Sequence, residues 1–388
     1  MRFVSLLSIA TCVLAGLTGC ASTQPSAQYT ARVEQSGSIE CSSNAKVNCE
    51  ISAVVWIKSE QGGTLIFAND KLPESRSEAS VFSMPYAGGE FNAASPKQFF
   101  TQAPFAAVNK YEGTSISTDG QHVVAMSAFD RYREDDSNQD RFNNLLAWPA
   151  NAPQNAKVVS ASQRGNIVSS LAIRLKLEQA LKKRYGSQVK YFKVEGLALL
   201  PGEKILFGVR EIGQNYKVFD YKVTFIEGRY KILNGDFTID ESSEFAVVRD
   251  FSAAVELPGP KLGVSSLEYD TVNHLLYVLT SFEDESNQRV GAHLWVLPDD
   301  GGALGHDLKL VRTPEGKPFK FTNKAEGLAM LADGRIFIVH DDDRYITTVK
   351  TGMGGKWVER ARNVNEAAFE ILRVCGPKSV APGCFTQP

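Results

Sequence analysis

The sequence predicts an all-β fold: a β-propeller of five or six blades with one inserted amphipathic helix. The first of two observations behind this prediction is a sequence pattern that recurs along the chain, which we call the phrase. It consists of Glu-Gly, a short apolar strand, a turn, a second apolar strand and an acid, and it is clearest at 193–211 and 324–341. Strand pairs repeated on this scale are typical of propeller blades, because one small sheet cannot bury both of its faces alone.

The second observation is the number of copies of this phrase. A looser copy runs from Tyr111 to Asp130, and copies at 51–70 and 264–283 lack the Glu-Gly pair. The five copies start 60 to 83 residues apart. We therefore predict five blades and leave open a sixth, degenerate blade between residues 237 and 258.

The N-terminus predicts a lipoprotein. A charged residue precedes an apolar run at 3–17, which is too short for a transmembrane helix and leads into Leu-Thr-Gly-Cys, resembling a bacterial lipobox. We expect a signal peptide at 1–19, palmitate or a related lipid on Cys20, and anchoring in the cell envelope. Because Ala21 follows the cysteine, the outer membrane is the expected location. The alternative is an ordinary secretory peptide cut near Ala21.

Beyond the signal peptide, residues 20–30 are expected to form a polar tether and 31–388 a single propeller domain. Without Arg2 the mature chain carries 41 basic and 44 acidic residues, a net charge of −3. This near-balance gives no electrostatic reason to expect nucleic acid as a partner. The expected partners are the membrane, through the lipid, and an envelope protein or a small phosphorylated or ester ligand.

Four cysteines remain for the folded part of the chain, two near each end. In an oxidising periplasm an even set predicts disulfides, and we favour the local pairs Cys41–Cys49 and Cys375–Cys384. Four cysteines allow three disulfide connectivities, and a disulfide between the two ends of the chain would close the ring covalently. A zinc site is the weaker interpretation, because the sequence has no Cys-x-x-Cys motif.

The remaining elements follow the repeat. Residues 166–185 break the β pattern, and their apolar positions, such as Ile173 and Leu177, predict a helix lying on the propeller between blades two and three. We expect a turn at Glu227-Gly228 in blade three. A ring-closing strand is predicted at 29–39, blade one at about 50–108, and blade two at about 110–160 with a charged insertion at 131–141. Blade four should contain a strand at 292–297. Blade five should contain a strand at 345–350 and a fourth, outer strand within 367–374.

The repeat gathers acids at one end of the ring. The first strand of a blade lines the axis and the second runs antiparallel beside it, so a residue entering the first strand and a residue leaving the second lie at the same end. The entering acids are Glu112, Glu195 and Glu326, and the leaving acids are Asp70, Asp130, Glu211, Glu283 and Asp341.

So many carboxylates repel one another unless a cation sits among them. Oxygen ligands at this density favour Ca²⁺ or Mg²⁺, so we predict calcium, held by Glu112, Glu195, Glu211, Glu283, Glu326 and Asp341. The alternative for the glutamates of the Glu-Gly pairs is an inter-blade clamp, in which each accepts hydrogen bonds from backbone N–H groups of the next blade. For the leaving acids the alternative is plain solvation. The paired glycines would let backbones approach closely near the axis.

The best candidate for a general acid or base is His340, which ends a strand and is followed by three aspartates. A lone histidine at a strand end is otherwise a structural residue. We expect Arg210 and Arg344 to be the only basic side chains close to the acids, and assign them to charge stabilisation in catalysis.

The Glu-Gly-Leu-Ala phrases at 195–198 and 326–329, each followed by a turn and an apolar strand ending in an acid, resemble the "esterase-like activity of phytase" propellers and the SdiA-regulated propellers. The resemblance covers about 110–350. By analogy with the related β-propeller phytases, it implies rim calcium ions that bind phosphate and activate water. Their metal or phosphate ligands would be Glu195, Glu211, Glu326 and Asp341.

Two functions are therefore considered. The first is a non-catalytic binding or scaffold module of the cell envelope with an acidic rim, which we favour because propellers commonly act as platforms. The alternative is a divalent-cation-dependent phosphoesterase or esterase in which metal-activated water attacks.

Overall fold

Five sheets follow one another along the chain and form the five blades of a β-propeller. The computed structural model describes residues 28–59, 62–70, 79–253, 256–259, 261–284, 289–300, 304–342, 345, 347–377 and 384. The predicted signal peptide, Cys20 and Arg344 lie outside these residues. The first strand, β1 (Thr30–Glu40), begins at the end of the predicted tether and belongs to the last blade.

Blades 1 and 2 are four-stranded sheets whose strands pair in chain order. Their first three strands lie where the sequence predicts them, and a short fourth strand completes each blade. The elements of the two blades are β2 (Ile51–Ser59), β3 (Gly62–Asn69), β4 (Val81–Tyr86), β5 (Gln98–Phe99), α1 (Ala103–Ala107), β6 (Tyr111–Ile116), β7 (His122–Ser127), a 3₁₀ helix (Ser137–Phe142), β8 (Leu145–Pro149), a second 3₁₀ helix (Pro153–Asn155) and β9 (Lys157–Val158).

A short hairpin and the predicted helix connect blade 2 to blade 3. The hairpin pairs β10 (Ser162–Arg164) with β11 (Ile167–Ser169), and the helix, α2, spans Leu171–Tyr185. The apolar side of α2, including Ile173 and Leu177, packs into the core between the two blades. The helix predicted between blades 2 and 3 is therefore confirmed.

Blade 3 corrects the turn predicted at Glu227-Gly228 and decides against a sixth blade. Its strands are β12 (Tyr191–Leu200), β13 (Lys204–Asn215), β14 (Val218–Leu233), β15 (Asp236–Ile239) and β16 (Ala246–Phe251). No turn forms at Gly228, because β14 runs through it; a Cβ there would lie 2.4 Å from the Phe245 ring, so this glycine makes room for packing. Both β15 and β16 pair with β14, so the segment that could have been a sixth blade belongs to blade 3.

Blade 4 repeats the pattern with long, fully buried strands. A blade has neighbours on both faces, so its strands are continuous apolar runs rather than alternating ones, as at 275–279. The strands are β17 (Gly263–Asp270), β18 (Leu275–Asp284), β19 (Arg289–Pro298), β20 (Lys309–Leu310) and β21 (Lys320–Phe321).

Blade 5 closes the ring with both ends of the chain. Its later strands are β22 (Ala325–Met330), β23 (Arg335–His340), β24 (Thr348–Met353), β25 (Lys356–Ala361) and β26 (Glu366–Cys375). The sheet order is β22-β23-β26-β1-β24-β25, so β26 pairs with β23, and β1 lies antiparallel between β26 and β24. The ring-closing strand is confirmed, whereas β26 is the third strand of the blade and not its outer one.

Within the described residues the core forms five apolar clusters, one at each blade–blade junction. The disulfides Cys41–Cys49 and Cys375–Cys384 are both present as predicted. Of the two, the first is the buried one, at the junction of blades 5 and 1.

Candidate functional site

The inner strand of every blade is irregular at the same place. β2, β6, β12, β17 and β22 each contain a register shift against the second strand of their blade. A bulge of this kind adds a residue to one strand and re-aims its side chain. The extra residues are Ser52, Glu112, Glu195, Ser265 and Glu326. They define what we call the entry end of the propeller; the opposite end, where the first hairpin of each blade turns, is the turn end.

Acids and bases alternate across the entry end in one series of ion pairs. No N–O distance in it exceeds 3.7 Å. Most of these side chains are almost completely buried, with Glu112, Glu195 and Arg210 each 1% exposed. The members of the ion-pair series are, in order, Asp130, Lys110, Glu112, Lys193, Glu195, Arg210, Glu283, Lys324 and Glu326.

The ion-pair series joins neighbouring blades. Polar contacts cross four of the five junctions directly, and at the junction of blades 1 and 2 the charge of Asp70 helps to raise the pKa of Lys110, although burial opposes this. The direct contacts are Lys193–Glu112 at 3.0 Å, Arg210–Glu283 at 3.7 Å, Lys324–Glu283 at 2.7 Å and Ser52 Oγ to Asp341 Oδ2 at 3.0 Å. The predicted gathering of acids at one end is therefore observed. It clamps neighbouring blades through side-chain ion pairs, which differ from the backbone hydrogen bonds considered as the alternative.

The expectation that only Arg210 and Arg344 lie close to these acids is wrong. Lys110, Lys193 and Lys324 each stand two residues before a glutamate of the series, in the motif Lys-x-Glu-Gly. Lys193 lies in β12, whereas Lys110 and Lys324 immediately precede β6 and β22, and each lysine pairs with the glutamate two residues after it. The motif is present in the sequence, but the prediction considered only the acids of each repeat and therefore missed the lysines.

Burial and neighbouring charges shift the pKa values of the series in opposite directions. Burial, reinforced by nearby carboxylates, raises the pKa of Glu112 and of Glu326 to about 8. Burial acts on Glu195 as well, but the surrounding cations, Arg210 first and then Lys193 and Lys324, together outweigh it and hold that pKa below its usual value. The neighbouring acids together raise the pKa of Lys193 in spite of its burial.

Arg210 occupies the centre of this arrangement. It is 1% exposed, its guanidinium lies 4.9 Å from the centre of the Tyr221 ring, and it donates to Ser281 Oγ at 2.7 Å. Its ion pairs reach Glu195, Glu211 and Glu283. Arg210 thus bridges blades 3 and 4, and a catalytic role for it stays a prediction.

His340 points into the core between blades 4 and 5. Its ring meets the ring of Phe321 at a centroid distance of 5.6 Å, and burial lowers its pKa to about 4. The imidazole is therefore neutral near pH 7. The structure gives His340 no contact with the ion-pair series among the described residues, and its proposed proton transfer stays a prediction.

Calcium at the entry end also stays a prediction. In the part of the chain that the structure describes, no group of three His, Cys, Asp or Glu side chains is arranged as a metal site. Lysine ammonium and arginine guanidinium groups stand between the carboxylates where the sequence argument expected a metal cation. A calcium ion would have to share the acids with these positive groups, which repel it.

The turn end is different, because it opens into a cavity. Four residues beyond each bulge the inner strands carry Trp56, Ile116, Leu199, Tyr269 and Met330, one from each blade. All five line a cavity of about 680 Å³, together with residues of the hairpin turns. The same repeat that builds the charged entry end therefore builds an apolar ring at the turn end.

Two buried carboxyls, those of Glu268 and Asp270, line this cavity. Glu268 is 4% exposed, and its Oε1 accepts the backbone N–H of Met330 in the next blade at 3.4 Å. Ser115 Oγ accepts the N–H of Leu199 at 3.0 Å in the equivalent position between blades 2 and 3. Burial, reinforced by Asp270, raises the pKa of Glu268 to about 8. Sequence reasoning missed this residue, since its strand lacks the Glu-Gly pair.

Comparisons with known proteins identify no family for this chain. No protein-family profile matches it, and no curated protein matches it. Solved structures that it resembles include an α-L-arabinofuranosidase from Podospora anserina in complex with cellotriose, at 9% identity and a TM-score of 0.44, covering 87% of this chain and 97% of that one. A member of the DUF4221 family from Bacteroides vulgatus matches at 9% identity and a TM-score of 0.40, covering 90% of this chain and 99% of that one.

A third solved structure is the catalytic domain of a GH62 α-L-arabinofuranosidase from Coprinopsis cinerea. It matches at 9% identity with a TM-score of 0.43, covering 90% of this chain and 99% of that one. Likeness at this level concerns the fold and says nothing about the site. Separately, no helix among the described residues is long and apolar enough to cross a membrane.

Proposed function

We propose that this protein is a non-catalytic binding module of the cell envelope, held to the outer membrane by a lipid on Cys20, with its ligand site in the cavity at the turn end. One observation carries the proposal: the charged groups of the entry end are paired with one another across the blade junctions, whereas the turn end keeps an open cavity. Concave sites lined mainly by apolar and aromatic side chains are where proteins bind small molecules.

The lipid anchor is tested by replacing Cys20. Expressed in a Gram-negative host with radiolabelled palmitate, the wild-type protein should carry label and sediment with outer membranes. The Cys20→Ala variant should lose the label and leave the membrane fraction. Equal labelling of both proteins would refute anchoring at this residue.

Binding at the turn end is tested with a variant that fills the cavity. Met330→Trp adds volume at the apolar ring, and Met353→Trp, at an exposed site of blade 5 away from the cavity, is the matched control. In a thermal-shift screen of small molecules, ligands should stabilise the wild type and the control and lose their effect on Met330→Trp. Ligands that stabilise all three proteins equally would contradict the proposed site.

A divalent-cation-dependent phosphoesterase of the phytase-like type is the second candidate. The observation that favours it is the set of lysines and Arg210 interleaved with acids, a pattern suited to phosphate. Burial and mutual pairing of these groups weigh against it. We expect no turnover of p-nitrophenyl phosphate or p-nitrophenyl acetate, with or without calcium, and no calcium-dependent rise in melting temperature. Turnover abolished by Arg210→Ala would establish the enzyme and remove the binding proposal.

A further inference from the structure

The cavity at the turn end has an apolar body and a polar floor. Trp56, Ile116, Leu199, Tyr269 and Met330 form the ring, and Glu268 lines the same cavity. At about 680 Å³ it has the size of ordinary small-molecule sites. Its walls would cover the apolar part of a ligand, so the chemistry of the polar groups decides which ligand fits.

The polar groups around the cavity are mainly acidic. Asp119 and Asp333 stand in hairpin turns at its mouth, the buried Asp270 ends β17, and Lys58 is the basic residue among the lining residues. Hydrogen bonds from Ser117 and from the N–H of Gln121 outweigh partial burial and hold the pKa of Asp119 below its usual value. Asp333 is paired with Arg335. The remaining charge makes the mouth attractive to cations and unattractive to anions.

Among the described residues, Glu268 has no oppositely charged partner. It accepts one long hydrogen bond, from the Met330 N–H, and the charge that acts on its pKa, Asp270, is also an acid. The basic members of the ion-pair series, by contrast, are each paired with acids. An ammonium group entering the cavity would supply a charged partner for the Glu268 carboxyl.

We propose that the cavity binds an organic cation, with its ammonium group on Glu268 and its apolar body against the five-residue ring. This inference rests on the proposed binding function and specifies its ligand class. When the ammonium group pairs with a protonated Glu268, the carboxyl gives its proton to solvent and the carboxylate–ammonium pair forms. Binding therefore releases a proton, and affinity rises with pH. The charged residues that line the cavity with Glu268 are Lys58, Asp119, Asp270 and Asp333, and of these Asp270 acts on its pKa.

Three probes of similar size separate the alternatives by isothermal titration calorimetry. They are 2-phenylethylammonium, 2-phenylethanol and 3-phenylpropionate. We expect the ammonium compound to bind at least tenfold more tightly than the alcohol, and no binding of the carboxylate. The affinity of the ammonium compound should rise between about pH 6 and about pH 8, where the amine itself stays protonated.

Glu268→Gln keeps the acceptor for the Met330 N–H and removes the acid. It should lower the affinity for the ammonium compound at least tenfold and leave that for the alcohol unchanged, which also shows that the variant is folded. Glu370→Gln is the matched control: Glu370 is a partly buried carboxyl whose pKa is likewise raised by burial, but it does not line the cavity. The control should bind like the wild type.

Equal binding of ammonium compound and alcohol, preference for the carboxylate, or an unchanged ammonium affinity in Glu268→Gln would each overturn the proposal. These outcomes differ from failure of the binding function itself. If neutral ligands bind at the cavity and are lost in Met330→Trp, the protein is a binding module for another ligand class. Binding of none of the three probes would also overturn the organic-cation proposal.

Discussion

At the scale of single residues, the entry end depends on lysines that stand between buried carboxylates. Lys193 lies 3.0 Å from Glu112 of the neighbouring blade and also pairs with Glu195 of its own strand. Removing one partner from a buried ion pair leaves an uncompensated charge, which costs far more than losing a surface pair. These lysines are therefore expected to matter more for stability than basic residues that form ion pairs at the surface.

We predict that Lys193→Met lowers the free energy of unfolding by about 3–5 kcal/mol, because the two buried acids Glu112 and Glu195 lose the base that stands between them. Urea denaturation at pH 7.5 measures this change. The control is Lys183→Met on α2, whose pair with Glu244 joins side chains that are 70% and 66% exposed, and it should change stability by less than about 1 kcal/mol. Equal effects of the two substitutions would contradict the clamp.

Glu268 predicts a pH dependence of stability. Its folded-state pKa of about 8 lies above the ordinary glutamate value, so the folded protein holds a proton that the unfolded chain loses. Stability from this residue is complete below about pH 4, falls as the pH rises, and is lost once the pH passes the folded-state pKa. Glu268→Gln should thus gain stability relative to the wild type between pH 5 and 8, by on the order of 3 kcal/mol. Parallel urea-denaturation profiles for the two proteins across this range would contradict the shift.

At the scale of elements, the bulged inner strand is the unit that the repeat preserves. The residue after the bulge is glycine in β6, β12 and β22, and the reason is close approach of the next blade. A Cβ on Gly327 would lie 3.0 Å from the Cα of Ala53 and from the N of Val54. The expected role of these glycines is confirmed.

Gly327→Ala should therefore destabilise the protein by about 1–3 kcal/mol, because the blades must move apart to admit the methyl group. Thermal unfolding by circular dichroism measures the effect. Ser266 occupies the equivalent position in β17 and already carries a Cβ, so Ser266→Ala is the matched control with a smaller expected change. An unchanged melting temperature for Gly327→Ala would show that the junction has room to spare.

The elements also show how far sequence reasoning reaches. The five blades and α2 followed from the periodicity of the sequence. Both disulfides followed from the even set of cysteines, and the gathering of acids followed from which ends of antiparallel strands coincide. The turn expected at Gly228 was wrong because glycine serves packing as often as turning, and only the neighbouring Phe245 decides which. Glu268 and the apolar ring were missed, because they become neighbours only when five strands are aligned on their bulges.

At the scale of the whole molecule, the ring is closed by hydrogen bonds between the two ends of the chain. β1 pairs with β26 over ten residue pairs, Thr30↔Cys375 to Glu40↔Glu366, and with β24 on its other side. A propeller without such a closure exposes two unpaired strand edges inside one blade. Closure therefore couples the N-terminal residues to the stability of all five blades.

Deleting residues 28–40 should abolish cooperative thermal unfolding, and adding a synthetic peptide of the same residues should restore it in proportion to peptide concentration, because the strand binds only the folded ring. Differential scanning calorimetry records both effects. A scrambled peptide is the control. A truncated protein that melts like the full chain would mean that blade 5 does not need β1.

The two ends of the propeller differ in what they do. Paired charges hold the blades together at the entry end, and we propose that the cavity at the turn end binds the ligand. A crystal structure of the protein with 2-phenylethylammonium tests both at once, because a cation could in principle go to either set of acids. We expect the ammonium group within hydrogen-bond distance of Glu268, with Lys193 still between Glu112 and Glu195. An ammonium group bound among Glu112, Glu195 and Glu326 would contradict the assignment.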